Sequence, residues 1–211
     1  SHNREKIKEL ASGQLKDEAN AWFVGEPFKV FYDYKKEGIW QLGEEAAAAA
    51  NGQEPGDIKV QDVDGNGVIT TDDRIIYSQR PDVTFGFNNT FNYKGFDLSV
   101  FLYARLGQWI AYDYNTTYRI NALENGGNVD YWTPENPTNA FPRPNKSKSY
   151  TQVTYYSTLK YEDGSFFKIR DITLGYTFKP ELLKHLNLSK LRVYATAKNF
   201  FTFSKIDNYD P

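Results

Sequence analysis

The chain has no cysteine, so it holds neither a disulfide framework nor a thiolate metal site. Its two histidines, His2 and His185, lie far apart, and neither has a further ligand at metal-binding spacing. A zinc centre and a Ser-His-Asp site based on His185 are both excluded as expectations, since no nucleophile-elbow motif accompanies it. No phosphate-binding glycine loop occurs. No run of 18 apolar residues exists, which excludes a transmembrane helix. A membrane β-barrel is not excluded, because alternation dilutes its apolar residues. The net charge of -2 argues against nucleic-acid binding, which needs a basic patch or stripe. The chain starts Ser-His-Asn, without Met or signal peptide, and is expected to begin inside a longer protein.

Aromatic residues are abundant: 17% of the chain, with 16 Tyr and 15 Phe. They suit the interfacial girdles of a barrel, a β-sandwich core or a sugar-binding surface. The mean hydropathy of -0.66 is that of a water-soluble protein and, on composition alone, favours a soluble β domain. The 211 residues suffice for one large or two small domains.

Patterning points elsewhere. From Leu191 to Phe203, Leu191, Val193, Ala195, Ala197, Asn199, Phe201 and Phe203 alternate with Arg192, Tyr194, Thr196, Lys198, Phe200 and Thr202. Period-two alternation marks a strand with one apolar and one wet face. Its length exceeds the usual strand and reaches the ~9–11 residues of a tilted bilayer-crossing strand. A hairpin precedes it. Phe85, Phe87, Asn89, Phe91 and Tyr93 share one face, Lys94-Gly95 turns, and Phe96, Leu98, Val100 and Leu102 return. A further strand carries Ile172, Leu174, Tyr176 and Phe178 on one face and Asp171, Thr173, Gly175 and Thr177 on the other.

Elsewhere, residues 22–40 read as extended, with Phe28, Val30, Tyr32 and Tyr34 on one face. Glu44 to Ala50 reads as a short helix ended by Asn51-Gly52, and Glu54-Pro55-Gly56 as a turn. Residues 107–160 are long, polar and aromatic, as befits extracellular barrel loops.

Residues 57–82 hold a calcium-type loop. Asp62, Asp64 and Asn66 occupy positions 1, 3 and 5 of a twelve-residue EF-hand pattern. Gly67 makes the sharp turn at position 6. Val68 would give its carbonyl at 7, Thr70 acts directly or through water at 9, and Asp73 closes at 12. Ca²⁺ seeks six to eight oxygens, and short oxygen side chains at alternate positions of a tight loop converge on one point. Ile69 should anchor the loop to a core. Asp in place of Glu at position 12 shortens the reach and leaves bidentate binding open. The flanks read as strand or coil, and a single loop favours a structural role.

Glu162-Asp163 and Asp72-Asp73 are adjacent carboxylates, expected to be solvated turn residues rather than a glycosidase pair, which must face each other across a substrate. Trp109, Tyr112, Tyr114, Trp132 and Phe141 are able to stack on sugar rings, though loop aromatics more often pack loop against loop.

Taken in order, several segments resemble the SusC/RagA family of TonB-dependent outer-membrane transporters. They are Trp22-Phe23-Val24-Gly25-Glu26-Pro27, Gly38-Ile39-Trp40-Gln41, Pro55-Gly56-Asp57-Ile58-Lys59, the 62–73 loop, Arg80-Pro81-Asp82 and Phe85-Gly86-Phe87. Trp132-Thr133-Pro134-Glu135-Asn136-Pro137, Phe141-Pro142-Arg143 and the run from Glu162 to Arg170 follow. Ile172-Thr173-Leu174-Gly175-Tyr176, Asn199-Phe200-Phe201-Thr202 and Tyr209-Asp210-Pro211 complete the set.

The resemblance implies an all-β fold: residues 1–211 as C-terminal strands and extracellular loops of a 22-stranded transmembrane barrel. The N-terminal plug and TonB box would lie outside this chain, which would stop before the final strand. The alternating runs lead us to expect five or six wall strands. The implied function is TonB-dependent import of oligosaccharides, or of peptides, across the outer membrane of a Bacteroidetes-type Gram-negative bacterium. A SusD-like surface lipoprotein would cap the mouth and the TonB complex would supply energy. Large ligands exceed what a passive lumen admits, so such a barrel is plugged and opened by work. Expected partners are those two proteins, outer-membrane lipid and the ligand; the expected ion is Ca²⁺, and no catalysis is expected. Arg192, Tyr194, Thr196 and Lys198 would line the lumen. Two rivals remain: a secreted calcium-stabilised carbohydrate-binding β domain, and a glycoside hydrolase fragment.

Overall fold

The computed structural model describes residues 1, 2, 4–11, 13–117, 128–148 and 152–206; the Tyr209-Asp210-Pro211 motif lies outside them. In chain order the first strands are β1 (Lys16–Asp17), β2 (Trp22–Phe23), β3 (Val30–Asp33) and β4 (Lys36–Ile39), followed by helix α1 (Glu45–Ala50). Then come β5 (Ile58–Val60), β6 (Ile75–Ser78), β7 (Val83–Tyr93), β8 (Phe96–Leu106), β9 (Trp109–Ala111) and β10 (Tyr161–Asp163). The chain ends in β11 (Phe166–Thr177), helix α2 (Pro180–Leu183) and β12 (Arg192–Ser204). These elements form two compact units.

The first unit is an antiparallel four-stranded sheet in the order β12-β11-β8-β7. Each strand has 11 to 13 residues. Lys94 and Gly95 join β7 to β8 with φ of 48° and 90°. Positive φ at both central residues matches the twist of the flanking strands. A side chain at Gly95 would also strike the Thr177 carbonyl, so only glycine fits there.

Register aligns the alternation of all four strands. Phe91, Leu98, Leu174 and Ala195 form one cross-strand row, and Asn89, Val100, Ile172 and Ala197 the next. Phe87, Leu102, Ile169 and Phe201 follow, then Phe85, Ala104, Phe167 and Phe203. The opposite face carries Thr90, Ser99, Thr173 and Thr196 in one row, with the Thr173 and Thr196 hydroxyls 3.0 Å apart. Every charged residue of the four strands stands on this second face. Near the 94–95 turn, Arg192 reaches across Gly175 to Asp97 with two hydrogen bonds of 3.0 and 2.5 Å. A methyl group at Gly175 would collide with both partners.

The alternation survives one irregularity. At Arg170, β11 gains a residue over β8, and β12 gains another over β11 where Asn199 has φ of 51°. These bulges let Phe167 and Ile169 share a face with Ile172 and Leu174, although their spacing has the wrong parity. The strand therefore begins at Phe166, earlier than alternation from Ile172 alone indicates.

The apolar face is uncovered: Phe91 is 57% exposed and Phe203 55%, with Phe85, Phe87, Leu174, Val193 and Phe201 also exposed. In a β-sandwich such a face would be packed against a second sheet. At ~3.3 Å per residue, the 11 residues of β7 span about 33 Å, or about 25 Å when tilted near 40°. That is the height of the apolar band of an outer-membrane barrel. Aromatic residues gather at both ends of the band, with Val100, Ile172 and Ala197 between them.

Among the described residues only these four strands are long enough to span a bilayer, fewer than the five or six expected. Residues 22–40 give the short strands β2, β3 and β4 instead, in the second unit. That unit comprises residues 6–79 and 109–162. Ile39, Ile58, Val60, Trp132, Tyr156 and Leu159 make its core. Residues 107–160 are thus not a bare loop: Trp132, 5% exposed, packs within this core and donates its indole N–H to Gln41 Oε1 at 2.8 Å. Among the described residues no helix is long and apolar enough to cross a membrane, which says nothing of strands.

A lipid-facing apolar surface predicts that Ile172→Arg, at its mid-height, destabilises the full-length protein folded into vesicles by about 2–4 kcal/mol. Thr173→Arg, one residue on and facing the other way, should cost under ~1 kcal/mol. Urea titration of vesicle-folded protein, followed by gel mobility, measures both; equal costs would refute the lipid-facing assignment.

Candidate functional site

The 62–73 loop connects β5 to β6 in the second unit. β5 pairs with β4, and β6 pairs with β3, so both ends of the loop are anchored in short antiparallel ladders. Its exit is a single 3-10 turn, Thr71–Asp73, not a long helix. Gly65 and Gly67 have φ of 73° and 85°, which lets the backbone fold tightly around the acidic side chains.

Side-chain oxygens organise the loop. Asp62 accepts the Gly65 N–H at Oδ1 and the Gly67 N–H at Oδ2, both at 2.7 Å. Asp64 Oδ1 accepts the Asn66 N–H at 3.0 Å, and its Oδ2 accepts the Asn66 amide at 2.7 Å. Asn66 Oδ1 in turn accepts the Val68 N–H at 2.8 Å. Asp73 is 0% exposed and accepts the Val63 N–H at Oδ1 (2.8 Å) and the Thr70 N–H at Oδ2 (2.7 Å). Thr70 caps the 3-10 turn through Asp72 N–H at 3.2 Å. Ile69 packs against the Ile39/Ile58/Trp132 core, as its place at position 8 predicts.

The carboxylates of Asp62, Asp64 and Asp73 offer oxygens within 4.8 Å of one another. Two oxygens each 2.3–2.6 Å from one Ca²⁺ can lie no more than about 5 Å apart, so this spacing suits a shared ion. Hard oxygens with a threefold negative charge also suit a hard divalent cation. The fold thus brings together Asp62, Asp64 and Asp73. Asn66 adjoins Asp64, Thr70 is engaged in the cap, and the Val68 side chain faces outward. Thr70's N–H, above all, holds the Asp73 carboxyl below the usual carboxylate range.

Asn51 has a role that its reading as a helix terminator missed. It ends α1, and its side chain bridges to the loop by accepting the Ile69 N–H at 2.8 Å and donating to Gly67 O at 3.3 Å. No sequence signal marks this, because 18 residues separate Asn51 from Ile69.

Motifs distant in sequence meet behind the loop. Arg143 pairs with Glu54 and lies 3.4 Å from Asp57, and its N–H donates to Gly56 O at 2.9 Å. Gly56 has φ of 90°, and a side chain there would strike Trp132 and Arg143. Gln41 and Asn139 close the other side, where Ile39 N–H donates to Asn139 Oδ1 at 3.0 Å.

Two carboxylate expectations change. Glu162 and Asp163 sit on β10, not in a solvated turn, and Glu162 accepts Asn115 Nδ2 at 2.8 Å. Asp73 is buried rather than solvated, held by the backbone donors that a short loop leaves unpaired. Among the aromatics, Trp132 and Phe141 belong to the core or pack on it, and Trp109 packs edge-on against Tyr77 at 4.8 Å. Tyr114 is exposed.

No family model matches the chain. The chain is 31% identical over its whole length to TonB-dependent receptor P3 of Formosa agariphila, covering 22% of that protein. It is 32% identical to TonB-dependent receptor P26 of the same organism, over 89% of the chain and 19% of the relative. TonB-dependent receptor SusC of Bacteroides thetaiotaomicron is 32% identical over 71% of the chain, which covers 15% of SusC. A structure of the RagAB peptide transporter superposes over 97% of the chain with a TM-score of 0.67 at 22% identity, covering 23% of the matched chain. The RagAB peptide importer in its open-open state gives 0.65 at 24% identity, over 99% of the chain and 23% of the matched chain. The chain belongs to the TonB-dependent receptors of the SusC/RagA kind. It spans about a fifth of the length of the curated relatives it matches. Those relatives are receptors and importers rather than enzymes. They lend no support to the secreted carbohydrate-binding reading.

Asp73 predicts an acid sensitivity. A carboxyl held below its unfolded value of about 4 contributes stability above that pH, and the contribution is lost as pH falls through the folded value. Asp73→Ala removes the carboxylate that accepts the Val63 and Thr70 N–H groups and should cost about 1–3 kcal/mol, with a smaller loss below pH 4 than at pH 7. Denaturation of the full-length receptor, read at both pH values by tryptophan fluorescence, checks this.

Proposed function

We propose that this chain is part of an outer-membrane importer that takes up oligomeric nutrients, glycans or peptides, using energy relayed by TonB. The observation that carries the reading is the four-stranded meander, whose uncovered apolar face is about 25 Å high from the strand length and tilt above and whose charged residues all stand on the opposite face. One face fits outer-membrane lipid, and the other fits an aqueous lumen. Membership among receptors of this kind supports the same reading. The sheet is one portion of a closed barrel, since its two edge strands need partners within hydrocarbon.

The full receptor works with a SusD-like lipoprotein at its outer mouth and with the TonB complex through regions outside this chain. RagAB is a peptide transporter; the resemblance to SusC and the exposed Tyr114 keep glycans in view as well. Residues of the second unit serve as extracellular loop structure. The 62–73 loop binds Ca²⁺ through Asp62, Asp64 and Asp73, with Asn66, the Val68 carbonyl and Thr70 completing the shell directly or through water. The ion's role is structural. It neutralises three converging carboxylates and pins the loop between β5 and β6, at the calcium levels at which extracellular modules bind.

Deleting the gene should abolish growth of the source bacterium on its oligomeric nutrient while leaving growth on the monomer intact, and a protonophore should stop uptake by the wild type. Uptake that persists without the protonmotive force would overturn the energised mechanism. For the ion, Asp62→Ala with Asp64→Ala should remove about one calcium per receptor by metal analysis; unchanged calcium would refute the site.

A further inference from the structure

Charge on the polar face of the sheet is unevenly placed. The four long strands carry five cations, Arg105, Lys168, Arg170, Arg192 and Lys198, against two anions, Asp97 and Asp171. Arg192 and Asp97 neutralise each other beside the 94–95 turn. The rest gather toward the opposite end of the strands. Arg105 shares a register row with Phe166, Lys168 one with Tyr103, and Lys198 one with Asp171 and Phe101. Four cations and one anion thus fall within about 15 Å along the strands.

Their surroundings differ from those of ordinary surface charges. The Arg170 guanidinium lies 5.8 Å from the Phe101 ring centroid and 4.0 Å from the neighbouring Asp171 carboxylate. The Arg105 Nε–H donates to the Tyr103 hydroxyl at 2.8 Å, so this guanidinium spends a donor on a neutral group. Arg170 and Lys198 are exposed and available to a ligand, whereas Lys168 is buried. The paired bulges at Arg170 and Asn199 insert their extra residues at this level. Bulges re-aim side chains, and here one keeps Arg170 on the polar face beside Phe101.

We infer that this Arg/Lys-aromatic strip selects for anionic oligomers, chains bearing repeated carboxylate or sulfate groups, as they pass along the polar face. The inference rests on the import reading above and specifies its ligand class. An excess of cations backed by a low-dielectric wall focuses field toward the lumen and raises the local concentration of anions. Guanidinium groups grip carboxylates and sulfates with paired N–H donors, and the adjacent rings offer flat contact to sugar or peptide units. A neutral oligomer gains the ring contacts but not the charge.

The test uses the full-length receptor with its lipoprotein, in detergent at low salt, and calorimetry with four probes. These are a galacturonate hexamer, a maltose-series hexamer, a glutamate-rich octapeptide and a Ser/Gly octapeptide. At least one acidic probe should bind tenfold or more tightly than its neutral counterpart, and which acidic probe does so identifies sugar or peptide as the source of the charge. Arg170→Gln with Lys198→Gln should remove most of that preference and flatten its salt dependence, while Arg170→Lys with Lys198→Arg retains it. No acidic preference in the wild type, or equal losses for acidic and neutral probes in the Gln variant, overturns the inference. Energised uptake without acidic preference would overturn the selectivity and leave import standing. Acid-selective binding without energised uptake would support the selectivity and overturn import.

Discussion

On the proposed lipid-facing reading, backbone hydrogen bonding in hydrocarbon governs the first unit. No N–H or C=O can be left open to lipid, so a spanning strand must be paired on both sides. Within the sheet, β8 and β11 meet this requirement completely, and β7 and β12 meet it on one side each. Once pairing is compulsory, register is too. A slip of one residue would turn Phe85, Leu98, Leu174 and Phe201 toward water and the charges toward lipid. The bulges at Arg170 and Asn199 are tolerated because they correct parity rather than disturb it. The two extra residues of β12 relative to β8 keep Ala197 and Phe201 on one face. Gly175 and Gly95 fit the same logic: the first makes room for the Arg192–Asp97 pair, the second for the turn.

The second unit obeys a different constraint. Its strands are short, and its stability comes from a compact aromatic and aliphatic core and from side chains that satisfy loop backbone. Asp73 is the clearest example. It is buried, yet each of its oxygens accepts a backbone N–H from the loop it closes. Buried polar groups are tolerable when paired in this way. The same geometry brings oxygens of Asp62, Asp64 and Asp73 within 4.8 Å of one another. Asn51, Asn139 and Gln41 act similarly, each tying together backbone segments that are remote in sequence.

Much of the sheet was legible because a strand in a two-faced wall writes its burial into every second residue. The β7–β8 hairpin and the odd and even faces of β12 follow from that period, and Lys94-Gly95 follows from turn chemistry. The gathering of Asp62, Asp64 and Asp73 was legible for a related reason: alternate short acids around Gly67 are a local pattern, and local patterns survive in sequence. Residues 22–40, read as extended, form only the short strands β2, β3 and β4, since their aromatics serve a core reached from two separate stretches of chain. The role of Asn51 was equally hidden, because it depends on a partner far along the chain. The start of β11 at Phe166 was masked by the parity change at Arg170.

The sequence by itself determined the period, length and polarity of the long strands, the tight turn and the acidic pattern of the 62–73 loop, because these depend on near neighbours and on the solvent each face must meet. Tertiary structure alone decided which strands adjoin, that Trp132 is core rather than sugar platform, that Asp73 is buried, and that Arg105, Lys168, Arg170 and Lys198 gather on one stretch of the polar face. Those outcomes arise from cross-strand register and long-range packing, where the energy of a residue is set by groups that the linear order keeps apart.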